Sequence, residues 1–576
     1  MPTGARISFG VYDETAKDEA SYYAASGSAQ SWVDYSEIKD GLSPDENPDE
    51  FGRYISGEPG VYRLDGSSRL FPGTPAGCHL GYWSASMSGS NRLYPTSPML
   101  SCGFASLHTS IGITIHFDGT THLSAFTVRW LYNGSVKSSV DVAGNTLQTV
   151  FVENHVEGFN GLQIIATLTD EPYRYVKIQE IDFGQKMVYD GETLVTASAI
   201  EEADLSGGSV PANSLRFTVL DPDHRLNPVN PDGIYTYLRK GMPLTVEFLR
   251  DGTAYPGGVY YLDTWEGTNT GTAKLTAEDV VGLKADESYA SAFYAEGDGF
   301  TMGQLLADVL AVCGIPGSAD PTIGAGVCQG YIPETEAREA ISHICVAGGG
   351  FARTGRDGSL LVSSLPEADP AVTLGEGDIL GEPTITKTDA VTGVFIEVFY
   401  YTVESGGLYK PYPIFPGPTR ESYKYTIDGI GHNVTGGIES AMGGQWHEVP
   451  GRVGYNFVTL EAWADADPGP LYVVIEGDAV TESSCQKGTQ PVSGGRAVQV
   501  SGIRLISNTN SEAVMARLKG YYAKALKVKL RTPWVPGMDC GTRISVPTRF
   551  GPVVGNIRRM DIDLTGGLLA NVEVVA

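Results

Sequence analysis

The sequence predicts a mainly β, multidomain chain with one mixed α/β region, and three observations lead there. Its 72 Gly and 33 Pro are spread along the whole chain rather than gathered in one tract, as many short strands joined by tight turns require. Thirty Tyr stand against 10 Met, and aromatics suit pleated, half-buried surfaces. Apolar residues alternate with period two in most segments, whereas a helical period with its caps occurs in three places. The 576 residues exceed what one core can organise and suggest roughly three to five domains. With 41% apolar and 19% charged residues, each domain can bury a core.

Residues 1–71 read as an extended, acidic anchoring segment ending in a turn at Asp65-Gly66 between Val61–Leu64 and Arg69–Phe71. Residues 72–185 read as a β-sandwich. Its strands are Ile111–Phe117, Phe126–Trp130, Leu162–Leu168 and Tyr175–Phe183, with turn signals at Asp118-Gly119 and Asn133-Gly134. Residues 186–290 form a second β-rich domain with strands Leu215–Leu220, Leu244–Phe248, Val259–Leu262 and Ala273–Ala277. Between the first two lies DPDHRLNPVNPDG, too rich in turn formers for a central strand or a helix.

Residues 291–380 are the mixed region. Thr301 and Gln304 form a capping box that opens a helix over Leu305–Cys313, stopped by Gly314 and Pro316. A second helix is expected over Pro333–Cys345, then a hairpin of Phe351–Arg353 and Leu360–Val362 about Asp357-Gly358. Residues 381–576 return to strands, among them Val394–Tyr401, Phe457–Ala462, Tyr472–Ile475, Lys527–Leu530, Arg543–Val546, Gly555–Ile562 and Ala570–Val575. A helix over Ser511–Leu526 interrupts them, and residues 405–500 read as an inserted β element.

The formal net charge of −28 argues against a protein that needs a basic nucleic-acid footprint, and suggests an acidic lumen if DNA merely passes through. Charge is unevenly placed. Residues 1–60 hold 12 acids against Arg6, Lys17, Lys39 and Arg53, whereas residues 501–560 hold 11 basic residues against Glu512 and Asp539. Complementary docking between subunits or neighbours is one reading, and solvated surfaces are the other. The opening MPTGARISFG lacks the apolar core of a signal peptide, and no stretch of about 18 apolar residues predicts a membrane helix. Cys78, Cys102, Cys313, Cys328, Cys345, Cys485 and Cys540 are widely spaced without a C-x-x-C pair. They read as reduced, mostly buried thiols of a protein assembled in a cytoplasm.

No motif for chemistry stands out. Gly348–Gly358 (GGGFARTGRDG) lacks the Gly-Lys-Ser/Thr and the following helix of a phosphate loop, and reads better as a hairpin. His116 with His122, and Glu339 with His343, have no partners at metal-ligand spacing, and the acidic turn from Asp221 to Gly233 does not match a calcium loop. No nucleophile elbow is present, and the 68 acids single out no glycosidase pair. Catalytic residues, metals and cofactors are therefore expected to be none, and the chain is not expected to be an enzyme. Aromatic pairs at Tyr82-Trp83, Trp130–Tyr132 and Tyr400-Tyr401 suit sugar stacking or strand cores. Trp83, Trp130 and Tyr132 are the carbohydrate-binding candidates.

The order of motifs from Asn213–Asp223 through Leu238–Val246, Gly258–Asp263, Leu275–Asp279, Gln304–Cys313 and Ala352–Val362 to Arg543–Val574 resembles the hub proteins of tailed-phage baseplates and tail tips. Tyr62–Gly66 and the sandwich ending at Tyr175–Gly184 resemble the galactose-binding, discoidin-like jelly-roll module that precedes such hubs. The resemblance implies two tube-type β-barrel domains, 186–290 and 381–576, with the mixed domain outside them. It implies a homotrimeric ring whose pseudo-sixfold face meets the tail tube at the distal end of a virion tail. The implied partners are the tube or distal tail protein, the tape-measure protein and a tail fibre or receptor-binding protein, with DNA only in transit during genome ejection. Some members carry a peptidase or muralytic domain after the hub. This sequence ends at Ala576 on a strand-like segment, so wall degradation is expected from another polypeptide. The other functional class is a receptor-binding protein that recognises host surface glycan through the jelly roll.

Overall fold

The computed structural model describes residues 4–31, 33, 35–39, 55–61, 80–230, 233–388, 391–440, 445–464, 469–491 and 495–576. The turn expected at Asp65-Gly66, and Cys78, lie outside them. The chain is mainly β, with 52% of residues in strands and 11% in helices, in several antiparallel sheets. It divides into two compact units, one of Met1–Ile7, Tyr189–His224 and Pro243–Ala576, the other of Ser8–Val188 and Arg225–Met242.

In the Ser8–Val188 unit, seven strands form one antiparallel sheet. Its order is Tyr82–Trp83, Lys177–Asp182, Met99–Phe117, Thr149–Thr169, Leu123–Tyr132 and Ser135–Ala143, with Ser21–Ala24 added beside Met99–Phe117. The strands read at 111–117 and 162–168 are the ends of much longer ones. Met99–Phe117 and Thr149–Thr169 shift register between Gly103 and His108, at His108/Thr109, and between Ser110 and Gly112. Such bulges bend strands. They bring Leu100 and Cys102 from one end and Ile113, Ile115 and Phe117 from the other into a single core with Phe126, Trp130, Phe159 and Ile178. Gly112 sits at a bulge with φ +139°, where a Cβ would lie 2.4 Å from the Val152 carbonyl, so a side chain there would force the strands apart.

In the other unit, strands Leu194–Glu202, Ser214–Leu220, Thr272–Glu278, Thr253–Gly267 and Pro243–Arg250 run in that order through one sheet. The C-terminal strands Val553–Asp563, Leu569–Val575, Leu526–Pro533 and Thr384–Lys387 continue the same sheet on its other side, because Ser198–Glu202 pairs antiparallel with Asp563–Arg559. Where two barrel-type domains were expected, the strands share this one open sheet. Among the described residues no sheet closes into a barrel. The strand of each set that could curl back on its own set is instead hydrogen-bonded to the other set.

The mixed region packs helices Met302–Cys313, Ala337–Gly348 and Ser511–Tyr522 with the three-stranded sheet Gly317–Ala319, Leu360–Ser363 and Phe351–Thr354. The capping box forms as read: Thr301 Oγ1 accepts from the Gln304 amide at 3.2 Å, and Gln304 Oε1 accepts from the Thr301 amide at 2.9 Å. Gly314 ends that helix at φ +62°. The second helix begins at Ala337, not Pro333, because Thr335–Glu336 is drawn into a short strand against Ser288–Tyr289. The third stops at Tyr522 rather than Leu526, since Leu526 opens the strand paired with Leu569–Val575. Residues 391–500 form two more sheets. One holds Ile430–Ser440, Leu471–Thr489, Val391–Ile414 and Arg496–Val500, and the other Glu421–Thr426, Phe457–Trp463 and His447–Val453. They enclose a core of Ile414, Ile438, Val458, Leu460, Val473 and Ile475.

Cys102, Cys313, Cys328, Cys345 and Cys540 are buried and free, and Cys485 is free and exposed. Among the described residues no helix is long and apolar enough to cross a membrane.

Candidate functional site

The feature that organises the larger unit is the seam where the two strand sets join, centred on Glu201-Glu202. On a strand, adjacent side chains point to opposite faces. Glu201 therefore enters the core while Glu202 stands on the outer face, and each is neutralised by a different device.

Inside, the partner is Arg356, carried on the tight turn Gly355–Gly358 of the hairpin that interrupts GGGFARTGRDG. All five guanidinium N–H groups have acceptors. Nη1 and Nη2 form a two-pronged pair with the Glu201 carboxylate, with Nη2 at 2.8 Å from Oε2. Nε donates to Asp539 Oδ1 at 2.9 Å, Nη1 also to the Gly257 carbonyl at 2.9 Å, and Nη2 also to the Met538 carbonyl at 3.3 Å. The guanidinium lies over the Phe248 ring at 5.1 Å and near Trp534 at 6.0 Å. Arg356 thus ties the mixed region to both strand sets at once: Glu201, Gly257 and Phe248 belong to one, Trp534, Met538 and Asp539 to the other. Burial opposes its charge, but Glu201 and Asp539 outweigh burial and hold the group above its ordinary value. Burial pushes the Glu201 carboxyl up, and Arg356 pulls against it.

Outside, a ladder of ion pairs crosses the same seam. Register places Glu202 opposite Arg559, Arg559 opposite Glu573, and Glu573 opposite Lys529. The pairing slips between Ile557 and Arg559, and this bulge turns Arg558 toward the same ladder as Arg559. Arg559 meets Glu202 at 2.9 Å, Arg558 meets Glu202 and Glu573 at 3.4 Å each, and Lys527 meets Glu573 at 2.6 Å. Nothing in the sequence marks Arg356, Arg558 or Arg559 as partners of acids some 155 to 357 positions away. The one available signal was an Arg at the tip of a glycine-flanked turn.

The carbohydrate candidates separate. Trp130 is 0% exposed within the core, and Trp83 is 5% exposed with the Lys177 ammonium over its ring at 4.5 Å. Neither presents a face to a sugar, because both rings are buried. Tyr132 is 47% exposed, with Lys137 5.7 Å from its ring centre. Tyr82 is buried, donating to the Ser28 carbonyl at 3.3 Å, and Tyr401 donates to the Arg504 carbonyl at 2.6 Å.

His116 is brought together not with His122 but with Glu180 and Asp182, a set whose ligand atoms lie close enough for a metal. A protein cation already serves these groups: Lys17 Nζ reaches Glu180 at 3.1 Å and Asp182 at 3.4 Å, and His116 Nε2 lies 3.1 Å from Asp182. The set is a buried ion cluster that docks the short helix Glu14–Glu19. His122 pairs with Asp170 at 3.3 Å, and His343 lies 3.6 Å from Glu339 on one helix. A second buried cluster joins Lys177 to Glu58 at 2.6 Å and Asp118 at 3.1 Å. In the acidic turn, the His224 amide donates to the Asp221 carbonyl at 3.0 Å, and Asp232 lies outside the described residues.

No family model matches the chain, and no curated protein matches it. Solved structures similar to it include a 43 kDa tail protein of prophage MuSo2 from Shewanella oneidensis, at 11% identity and a TM-score of 0.37, covering 68% of this chain and 95% of that one. A tail protein from Neisseria meningitidis is similar at 11% identity and a TM-score of 0.37, over 68% of this chain and 93% of that one. A chain of the phage P2 baseplate in its activated conformation with Ca is similar at 10% identity and a TM-score of 0.25, over 70% and 92% respectively. Likenesses this distant carry no functional argument.

Proposed function

We propose that this chain is a structural, non-enzymatic subunit of a phage-type tail tip, a baseplate hub that assembles into a ring at the distal end of the tail. The observation that carries the reading is the seam. Two strand sets, one from residues 194–278 and one from 526–575, share a continuous sheet and are locked by Arg356 within and an ion ladder without. A subunit with two rigidly coupled β sets supplies two of the six repeats that a hexameric tube presents, so three copies complete the match. The motif order that resembles the hub family supports the same assignment. On this reading residues 186–290 and 381–576 are the two tube-type domains and 291–380 the mixed domain outside them. Residues 72–185 are a jelly-roll module, and residues 405–500 meet a fibre or the tape-measure protein. The outer ladder alternates both signs of charge, so the acidic lumen expected from net charge is not carried by this face.

The receptor-binding alternative loses its two tryptophans to the core and keeps Tyr132 alone. Light scattering of the purified protein over a range of concentrations tests the ring. A stable species near three times 61.4 kDa is expected. A monomer at every concentration, with no ring formed on added tail-tube protein, refutes it.

A further inference from the structure

The end of helix Ser511–Tyr522 and the strands Leu526–Pro533 and Leu569–Val575 border an open cleft of about 360 Å³, lined among others by Arg496, Tyr521, Lys524, Lys527, Arg558 and Glu573. Among the described lining residues, four cations stand beside one carboxylate, Glu573, and Arg558 is also paired with Glu202 at 3.4 Å. Glu573 is already shared by Lys527, Lys529 and Arg558, at 2.6, 3.8 and 3.4 Å. The two acids of the basic stretch 501–560 are committed elsewhere, Glu512 to Lys487 and Asp539 to Arg356. Among the described residues, neither Arg496 nor Lys524 has a carboxylate within ion-pair distance. Lys524 is held in place by Asn556, whose Oδ1 accepts from Nζ at 3.0 Å while its amide donates to the Pro366 and Gly541 carbonyls at 3.2 Å each. Asn556 is fully buried, so the ammonium is aimed by a fixed group rather than left to wander. Burial, and then Arg543 nearby, pull the Lys524 pKa down against Glu367, as expected of a cation short of a counter-charge. Among its described lining residues the cleft therefore has an excess of positive charge.

The chain carries a matching run of acids. Between Lys39 and Arg53 the sequence DGLSPDENPDEFG holds Asp40, Asp45, Glu46, Asp49 and Glu50 with no basic residue among them. The segment thus carries five carboxylates within 11 residues. The remaining acids of the N-terminal stretch are partly spent internally: Glu58 on Lys177, and Asp13 and Glu19 on His108. We propose that the cleft bordered by Arg496, Lys524, Lys527 and Arg558 docks the acidic segment Asp40–Glu50 of a second copy of this chain. The inference deepens the oligomeric reading but needs no particular ring symmetry.

The test uses the full-length chain with its own segment neutralised (Asp45→Asn, Glu46→Gln, Asp49→Asn, Glu50→Gln), so that it cannot compete. A fluorescent peptide of residues 39–51 is titrated into it and followed by anisotropy. Saturable binding is expected, at least about tenfold weaker in high salt and at least about tenfold weaker when Arg496→Glu and Lys524→Glu are added. Arg496 is exposed and Lys524 half-buried, so an unchanged melting temperature controls for folding. If they unsettle the fold, Arg496→Gln alone replaces them. Binding that ignores these substitutions overturns the proposal, as does no binding. A single-stranded oligonucleotide of equal charge that occupies the cleft when the peptide does not overturns it in favour of nucleic acid.

Discussion

Replacing Arg356 with methionine removes the group that holds the seam while keeping the length of the side chain. The cost follows from what is left behind. Glu201, with its side chain 8% exposed, loses both prongs of its paired cation and remains a carboxylate in the core. Breaking a buried pair from one side costs about 3–5 kcal/mol, and the lost contact with the Phe248 face adds roughly 0.5–1 kcal/mol. Most of that penalty is the uncompensated charge, so adding Glu201→Gln to the variant should return all but about 1–2 kcal/mol. Arg356→Lys keeps a charge but cannot form the two-pronged pair and three further hydrogen bonds together, and should fall between the two. The pH dependence has a definite sign. In the methionine variant Glu201 has a folded-state pKa above its unfolded value, so its contribution is intact below the ordinary Glu value and is lost as pH rises through the raised one. The penalty is therefore smaller at pH 5 than at pH 8. Urea unfolding followed by Trp534 fluorescence measures it, since Trp534 stacks edge-on against Phe248 at 4.8 Å. Amide exchange over 198–202 and 559–563 reports the same opening. A methionine variant within about 1 kcal/mol of wild type, or a double variant no better than the single, would refute the claim that this arginine locks the two strand sets.

Three other outcomes follow from the same structure. Burial opposes the charge on Lys177, but Asp118 and Glu58 outweigh it and raise its pKa. Its contribution is then full below the ordinary Lys value and lost as pH rises through the raised one, so the Ser8–Val188 unit should weaken above about pH 10.4. Trp83, under the ammonium, is the fluorescent reporter, and a melting temperature flat from pH 9 to 12 would contradict this. Thr301→Ala removes one half of the capping box and should cost about 1 kcal/mol, read as faster amide exchange in Met302–Cys313 with the rest of the mixed region unchanged. Trp130→Ala should cost about 3–5 kcal/mol and Tyr132→Ala less than about 0.5 kcal/mol in thermal unfolding, because one ring fills the core and the other stands in solvent.

Much of the β content was legible in the residues because its causes are local. Alternation at Leu215–Leu220 and Ala570–Val575, the Thr301/Gln304 capping box, the Gly314 stop and the Asp357-Gly358 turn each depend on neighbours a few positions apart. Errors fell where a distant partner competed for the backbone. Thr335–Glu336 left the predicted helix for Ser288–Tyr289, and Leu526 left its helix for the strand against Leu569–Val575. Tertiary packing also decided the fate of the aromatic candidates, since Trp83 and Trp130 are as compatible with a sugar platform as with a core until the facing layer is present. The sequence by itself determined the strand-rich character, the helix caps, the acidic and basic ends and the lack of a catalytic motif. Only the tertiary structure decided that the two strand sets merge, that Glu201 turns inward to Arg356 while Glu202 turns outward, and that a bulge brings Arg558 and Arg559 to one ladder. Those facts rest on register between segments hundreds of residues apart, and a shift of one residue would exchange every inward side chain for an outward one.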